Sequence, residues 1–307
     1  MKRLNLKFTA ILFSTVFMLS SCKDEEKVVA PAPTDITAIA SKDAQFSTLV
    51  AALSKAELVS TLQGTGPFTV FAPNNEAFTK AKITSLDGLT KADLTPILTS
   101  HVLSGKVLAA DVKSGTATPL SNENFYLSKN STGVYINGNI KVIATDVSAS
   151  NGVIHVIDNV ITKPTNSLAA IATGNSDFKE LVDLVLGADP AVLKALSDAS
   201  TAGLTVFAPT NAAFTEVYKT VPKAALLADK ALLTKVLLYH VVPGRVFSTD
   251  LPNVTGEVAT ASTDKVKFDL TSGAKVVGKT SGNSNITAAN ILATNGVVHV
   301  IDKVLLP

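Results

Sequence analysis

The chain reads as two tandem α+β domains, each opening with helices and closing with a mainly antiparallel sheet. An internal repeat, its period, and a change of hydrophobic pattern inside each copy predict this. Phe68-Thr69-Val70-Phe71-Ala72-Pro73-Asn74-Asn75-Glu76-Ala77-Phe78 returns as Leu204-Thr205-Val206-Phe207-Ala208-Pro209-Thr210-Asn211-Ala212-Ala213-Phe214. Ser100-His101-Val102 is answered by Tyr239-His240-Val241, and Asn151-Gly152-Val153-Ile154-His155-Val156-Ile157-Asp158 by Asn295-Gly296-Val297-Val298-His299-Val300-Ile301-Asp302. The offsets grow from 136 to 139 to 144, as surface-loop insertions in the second copy would make them. A period near 140 residues is too long for a solenoid unit, roughly 20–50 residues, and suits a whole domain.

Within each copy the apolar spacing is first helical. Phe46, Leu49, Val50, Leu53, Leu58 and Val59 follow it in copy one, and Phe178, Leu181, Val182, Val185, Val192, Leu193 and Leu196 in copy two. Gly187-Ala188-Asp189-Pro190 should end one helix of copy two and start another, since proline is tolerated in a first turn. Thr69-Val70-Phe71 then reads as a strand stopped by Pro73. Asn74 or Thr210 is placed to cap the next helix, which carries Phe78 or Phe214 into the core. A further helix spans Lys91 to Val102, or Asp229 to Val241, with Gly105 and Gly244 as its stop signals. Beyond it come short strands around Phe125-Tyr126-Leu127, Val134-Tyr135-Ile136, Lys141-Val142-Ile143 and Gly152 to Ile157. Asn137-Gly138 is expected as a two-residue hairpin turn.

Residues 1–21 read as a signal peptide. A basic start with Lys2, Arg3 and Lys7 precedes an apolar run, Phe8 to Leu19, too short to span a bilayer comfortably. It ends at Leu19-Ser20-Ser21-Cys22, which resembles a bacterial lipobox. The resemblance implies that Cys22, the only cysteine, is lipid-modified and anchors the mature chain to a membrane. Residues 22–33 then form the lipidated cysteine and a Pro/Ala-rich extended tether. The acidic cluster Lys23-Asp24-Glu25-Glu26-Lys27 resembles the export signal that sends lipoproteins of Bacteroidetes-type bacteria to the outer face of the outer membrane; its alternative is a merely solvated linker. The expected domains occupy 34–164 and 165–307. The short connection from Asn159 to Thr165 leaves them limited freedom.

Thr-Val-Phe-Ala-Pro, then Tyr-His (Ser-His in the first copy), then Asn-Gly-Val-x-His-Val-Ile-Asp, in order in both copies, resemble the motif regions of fasciclin-like domains. This resemblance implies two tandem fasciclin-like domains, each a wedge-shaped, mainly antiparallel β-sandwich with several helices. It implies a cell-surface adhesion or binding protein, with an extracellular protein or polysaccharide as ligand. It also singles out Tyr239-His240 with Leu238 and Val241, and His101 in the first copy, as recognition candidates. The same pair could equally be a core element whose loss unfolds the domain. Ser100 stands where the second copy has Tyr239, so a role needing the tyrosine ring is restricted to the second copy.

Several chemistries find no support. Without residues 1–21 the formal charge falls from +2 to −1, with 24 basic against 25 acidic side chains, and no basic cluster marks a nucleic-acid partner. No Gly-x-Ser-x-Gly elbow, phosphate-cradling loop or His-Glu-x-x-His is present. His155 with Asp158, and His299 with Asp302, lie three apart on a strand and so point to opposite faces. All four histidines belong to the repeat and are expected as buried residues bonded to backbone, without cofactor, metal or catalysis. The competing functional expectations are a structural envelope or biofilm component without a tight ligand and, less favoured, a surface hydrolase.

Overall fold

The computed structural model describes residues 34–197 and 202–307; the expected signal peptide, Cys22 and the tether lie outside them. Thr34–Pro307 forms one compact unit. In the first half the helices α1 (Ile36–Lys42), α2 (Ser47–Lys55) and α3 (Val59–Leu62) precede β1 (Phe68–Pro73), α4 (Asn75–Lys80) and α5 (Lys91–Thr99). There follow β2 (Val102–Ser104), β3 (Gly115–Ala117), β4 (Phe125–Asn130), β5 (Gly133–Ile136), β6 (Ile140–Ala149) and β7 (Gly152–Ile157).

The second half repeats the plan with α6 (Leu168–Thr173), α7 (Lys179–Gly187), α8 (Pro190–Ser197), β8 (Leu204–Pro209), α9 (Asn211–Tyr218), α10 (Lys223–Ala228) and α11 (Lys230–Tyr239). Its sheet adds β9 (Val241–Pro243), β10 (Val258–Ala259), β11 (Lys265–Asp269), β12 (Lys275–Gly278), β13 (Gly282–Ala293) and β14 (Gly296–Ile301).

Each half holds a seven-stranded sheet, ordered β2-β1-β7-β6-β5-β4-β3 and β10-β11-β12-β13-β14-β8-β9. All pairings are antiparallel except β1 with β7 and β8 with β14. The sheet folds over itself at its longest strand. In β6 the register shifts between Val142 and Ala144 and again before Val147, and β13 has the matching pair of irregularities. Such bulges bend a strand and increase its twist, so one strand serves both wings of a sandwich.

Two cores result in each half. Val70, Ala72, Ile154 and Val156 pack with Leu49, Phe78, Leu94 and Leu98 from the helices. Phe71 and Ile157, pointing the other way, pack with Phe125, Ile136 and Val142 between the wings. β1 and β7 are thus apolar on both faces, as buried parallel neighbours must be. The second half repeats this arrangement around Phe214, Leu233 and Val298, and around Phe207, Val266 and Val276.

Two expectations need correction. Gly105 and Gly244 do not stop helices: α5 and α11 end at Thr99 and Tyr239, and β2 or β9 intervenes. Each glycine follows its short strand at a φ of 95° or 90°. The carbonyls of Gly105 and Gly244 accept from Thr69 and Thr205 Oγ1 at 2.7 Å. The Asn137-Gly138 turn has three residues, because Ile136 pairs directly with Ile140. Asn137 and Gly138 both take left-handed φ, 50° and 72°, so the dipeptide supplies the expected conformations in a longer loop.

Candidate functional site

The Tyr-His segment sits where the last helix of each half runs into a strand. His240 is the C-cap of α11; its Nδ1 donates to Val236 O at 2.8 Å and its Nε2 accepts from Leu305 N at 2.9 Å. His101 does the same with Ile97 O and Ile161 N, at 2.8 and 2.9 Å. Both rings are neutral and occupied on both nitrogens. Burial lowers both to about 4, against the opposing pull of the Ile97 and Val236 carbonyls.

Tyr239 is fully buried. Its hydroxyl donates to Lys265 O at 2.8 Å and accepts from Lys279 N at 2.9 Å, joining α11 to β11 and to the loop after β12. Ser100, its counterpart, bonds Pro96 O and Ser121 Oγ at 2.7 and 2.9 Å instead. The recognition expectation is therefore corrected for direct contact. Tyr239, His240, Val241 and His101 are core side chains, and Leu238 is half-buried against the same core. A partner touching the folded surface does not reach these rings.

The second histidine of each half uses the opposite tautomer. His155 Nε2 donates to Val107 O at 2.9 Å and Nδ1 accepts from Asp146 N at 3.2 Å. His299 pairs likewise with Val246 O and Asn290 N, at 2.8 and 3.3 Å. The rings lie 5.5 Å from those of Phe71 and Phe207. Burial lowers the pKa of His299, opposed by the Val246 carbonyl and Asp250.

Asp158 turns away to Lys80, at 2.9 Å, and to Lys141 N. Asp302 accepts from Asn285 N at 2.7 Å. Neither carboxylate orients a histidine. Among the described residues no three His, Cys, Asp or Glu side chains converge as a metal site.

Asn74 and Thr210 accept from Ala77 N and Ala213 N as helix caps, and Phe78 and Phe214 are buried beneath them. Sequence reasoning missed the more important amides of the Asn-Gly motif. Asn151 Oδ1 accepts from Ile36 N at 3.0 Å, while Nδ2 donates to Leu62 O and Gly64 O. Asn295 accepts from Leu168 N and donates to Leu196 O. Each amide thus ties the start of one helix and the end of another to the central strand. A Cβ on the following Gly152 or Gly296 would lie 2.1 or 2.4 Å from the carbonyl oxygen of Phe68 or Leu204. The signal was identity between the copies at a polar residue amid apolar strands.

The seam between the halves is also polar. Asn290, at φ 62° in the bulge of β13, donates through Nδ2 to Gly138 O at 3.0 Å and to Ser248 Oγ at 2.7 Å. Asn139 Nδ2 returns a bond to Asn290 O, Asn130 Nδ2 bonds Thr249 O, and Asn253 Nδ2 bonds Lys129 O. The Arg245 guanidinium lies 4.8 Å from the Tyr126 ring centroid. Beside this seam is a cleft of about 290 Å³ lined by Asn122, Asn124, Tyr126, Lys163 and Arg245. The repeat places Asp146 where Asn290 stands, and a carboxylate there offers no donor to Gly138. We expect Asn290→Asp to weaken the seam by about 1–3 kcal/mol. Small-angle scattering would then show a broader spread of separations between the halves; an unchanged profile contradicts the assignment.

The fasciclin-domain model matches residues 44–163 and 176–307. Protein sll1483 of Synechocystis is 44% identical over 149 residues, 46% of this chain and 82% of that protein. Human periostin is 29% identical over 261 residues, and rabbit transforming growth factor-beta-induced protein ig-h3 is 30% identical over 252. Each of these two alignments covers 80% of this chain but only 29% and 35% of the relative's own length. Among solved structures, a domain pair from the insect cell adhesion molecule fasciclin I has a TM-score of 0.44 at 16% identity, over 87% of this chain and 98% of that one.

Proposed function

We propose, on the premise that this chain belongs to the fasciclin-domain family through both of its halves, that it is a lipid-anchored adhesion protein of the cell surface. Its partner is an extracellular protein or polysaccharide, held without catalysis. The observation that carries this reading is the double family match within a single compact unit. Fasciclin domains are found in cell-adhesion and extracellular matrix proteins. The non-catalytic part is supported by the histidines, whose ring nitrogens are all engaged with backbone groups. With Tyr239 and His240 in the core, we assign the contact to the surface beside the seam. Amides and cations in that cleft suit the hydroxyls of a polysaccharide.

Anchoring rests on Cys22, and among the described residues no helix is long and apolar enough to cross a membrane. Replacing Cys22 by Ala is expected to release the exported chain from the membrane fraction, because one terminal cysteine carries the whole attachment. Protease added to intact cells should remove both domains of the unsubstituted protein. Resistance on intact cells, with cleavage after lysis, would overturn surface display. Failure of residues 34–307 to bind glycan or matrix arrays would favour the structural-component reading.

A further inference from the structure

The two halves are built on one plan, yet their helical layers are not sealed alike. Matching hydrogen bonds fix the correspondence. Ile36 and Leu168 each donate N–H to the motif asparagine, and Leu62 and Leu196 each give it a carbonyl. On this register Ala40, Leu53 and Leu62 of the first half are 4%, 6% and 3% exposed. Their counterparts Ala172, Val185 and Leu196 are all only half-buried.

Between them lies a cavity of about 110 Å³, walled by α6, α7, α8 and the face of β8 and β14. The two halves also differ in sequence here: the helix before β8 is longer than α3, eight residues against four, and it follows the Gly187–Pro190 break.

The lining selects the occupant. Ile171, Val182, Val185, Leu196 and Val298 present hydrocarbon only. The one polar ring at the wall, His240, has both nitrogens engaged with Val236 O and Leu305 N and offers an occupant nothing. Apolar cavities of roughly 150 Å³ stay dry and accept small hydrocarbons, and this one is of that order.

The lip is apolar as well. Leu186, 67% exposed, stands where the first half has the exposed Ser54, and Leu193 beside it is 40% exposed. An apolar lip is what a chain too long for the cavity would cross on its way to water. An aromatic ring filling the cavity alone would leave both leucines unused.

We propose that the second domain binds the end of an unbranched alkyl chain in this cavity, with the rest of an amphiphile crossing the Leu186–Leu193 lip. This goes beyond the adhesive reading and does not depend on it. The test is titration of residues 34–307, which carry both cores complete, with n-decanoate below its micellar concentration, followed by methyl NMR. Saturable shifts are expected at Ile171, Val182, Val185 and Leu193, and not at Ile39, Val50 or Leu53 in the first half.

Ala172→Leu, which fills the cavity, should weaken binding at least tenfold while holding or raising Tm. Leu186→Ser, at a position 67% exposed, should weaken it several-fold with little change in Tm. Shifts of equal size in both halves, no saturation, or affinity indifferent to both substitutions would overturn the proposal. Loss of decanoate binding with array binding intact would separate this site from the adhesive one.

Discussion

Lowering the pH from 7 to 4 is expected to destabilise both domains and lower their Tm. His101 and His240 are neutral in the fold, and burial holds them down to about 4, whereas the unfolded chain protonates them near the ordinary 6.5. Between those values the unfolded state binds protons that the folded state refuses. The stability from each ring is therefore complete above about pH 6.5 and is lost as pH falls toward 4. A gap of this size is worth on the order of 3 kcal/mol per histidine, one in each domain. That compares with roughly 5–15 kcal/mol for an ordinary domain. His299, also lowered by burial, adds to the slope in the second domain. Thermal melts by circular dichroism should fall steeply from pH 6.5 downward, and His240→Gln should flatten the slope of the second domain. A Tm constant between pH 7 and 4.5 would refute the assignment.

Tyr239→Ala is expected to cost about 3–5 kcal/mol, because it empties a fully buried aromatic site. It also abandons Lys265 O and Lys279 N. Tyr239→Phe keeps the ring and strips only those two part-buried bonds, at about 0.5–1.5 kcal/mol for each. The comparison separates support from recognition. Attachment should track the folded fraction, so Tyr239→Phe assayed well below its Tm should bind as the parent does. A folded Tyr239→Phe protein that no longer attached would return the tyrosine to the contact surface.

Local chemistry in the sequence was specific enough to place much of the fold. Asn74 and Thr210 cap as their positions predict, and Gly187 and Pro190 end and begin helices. The His-Asp spacing correctly separated the two side chains. Long-range partners were not legible. The hydroxyl of Tyr239 reaches Lys265 and Lys279, 26 and 40 residues away, and no local pattern announces that. Burial of Tyr239 and His240 follows from the same cause, since an apolar neighbourhood suits both a core and a contact surface. The parallel β1–β7 pair escaped notice because period-2 spacing does not encode which strands are neighbours. The two-residue turn failed because Asn137-Gly138 specifies left-handed backbone without fixing loop length.

The parallel pairing has a mechanical consequence. The described chain enters the first domain beside Ser150 and Asn151, where Thr34 O accepts from Ser150 N and Ile36 N donates to Asn151. It leaves from the far end of β7, past Ile157. A pull between those points runs along the strands. The six pairs from Phe68–Gly152 to Pro73–Ile157 are then loaded together in shear, instead of one after another as in a peeling hairpin. Tension applied along the chain thus meets the row of bonds in its stiffest direction.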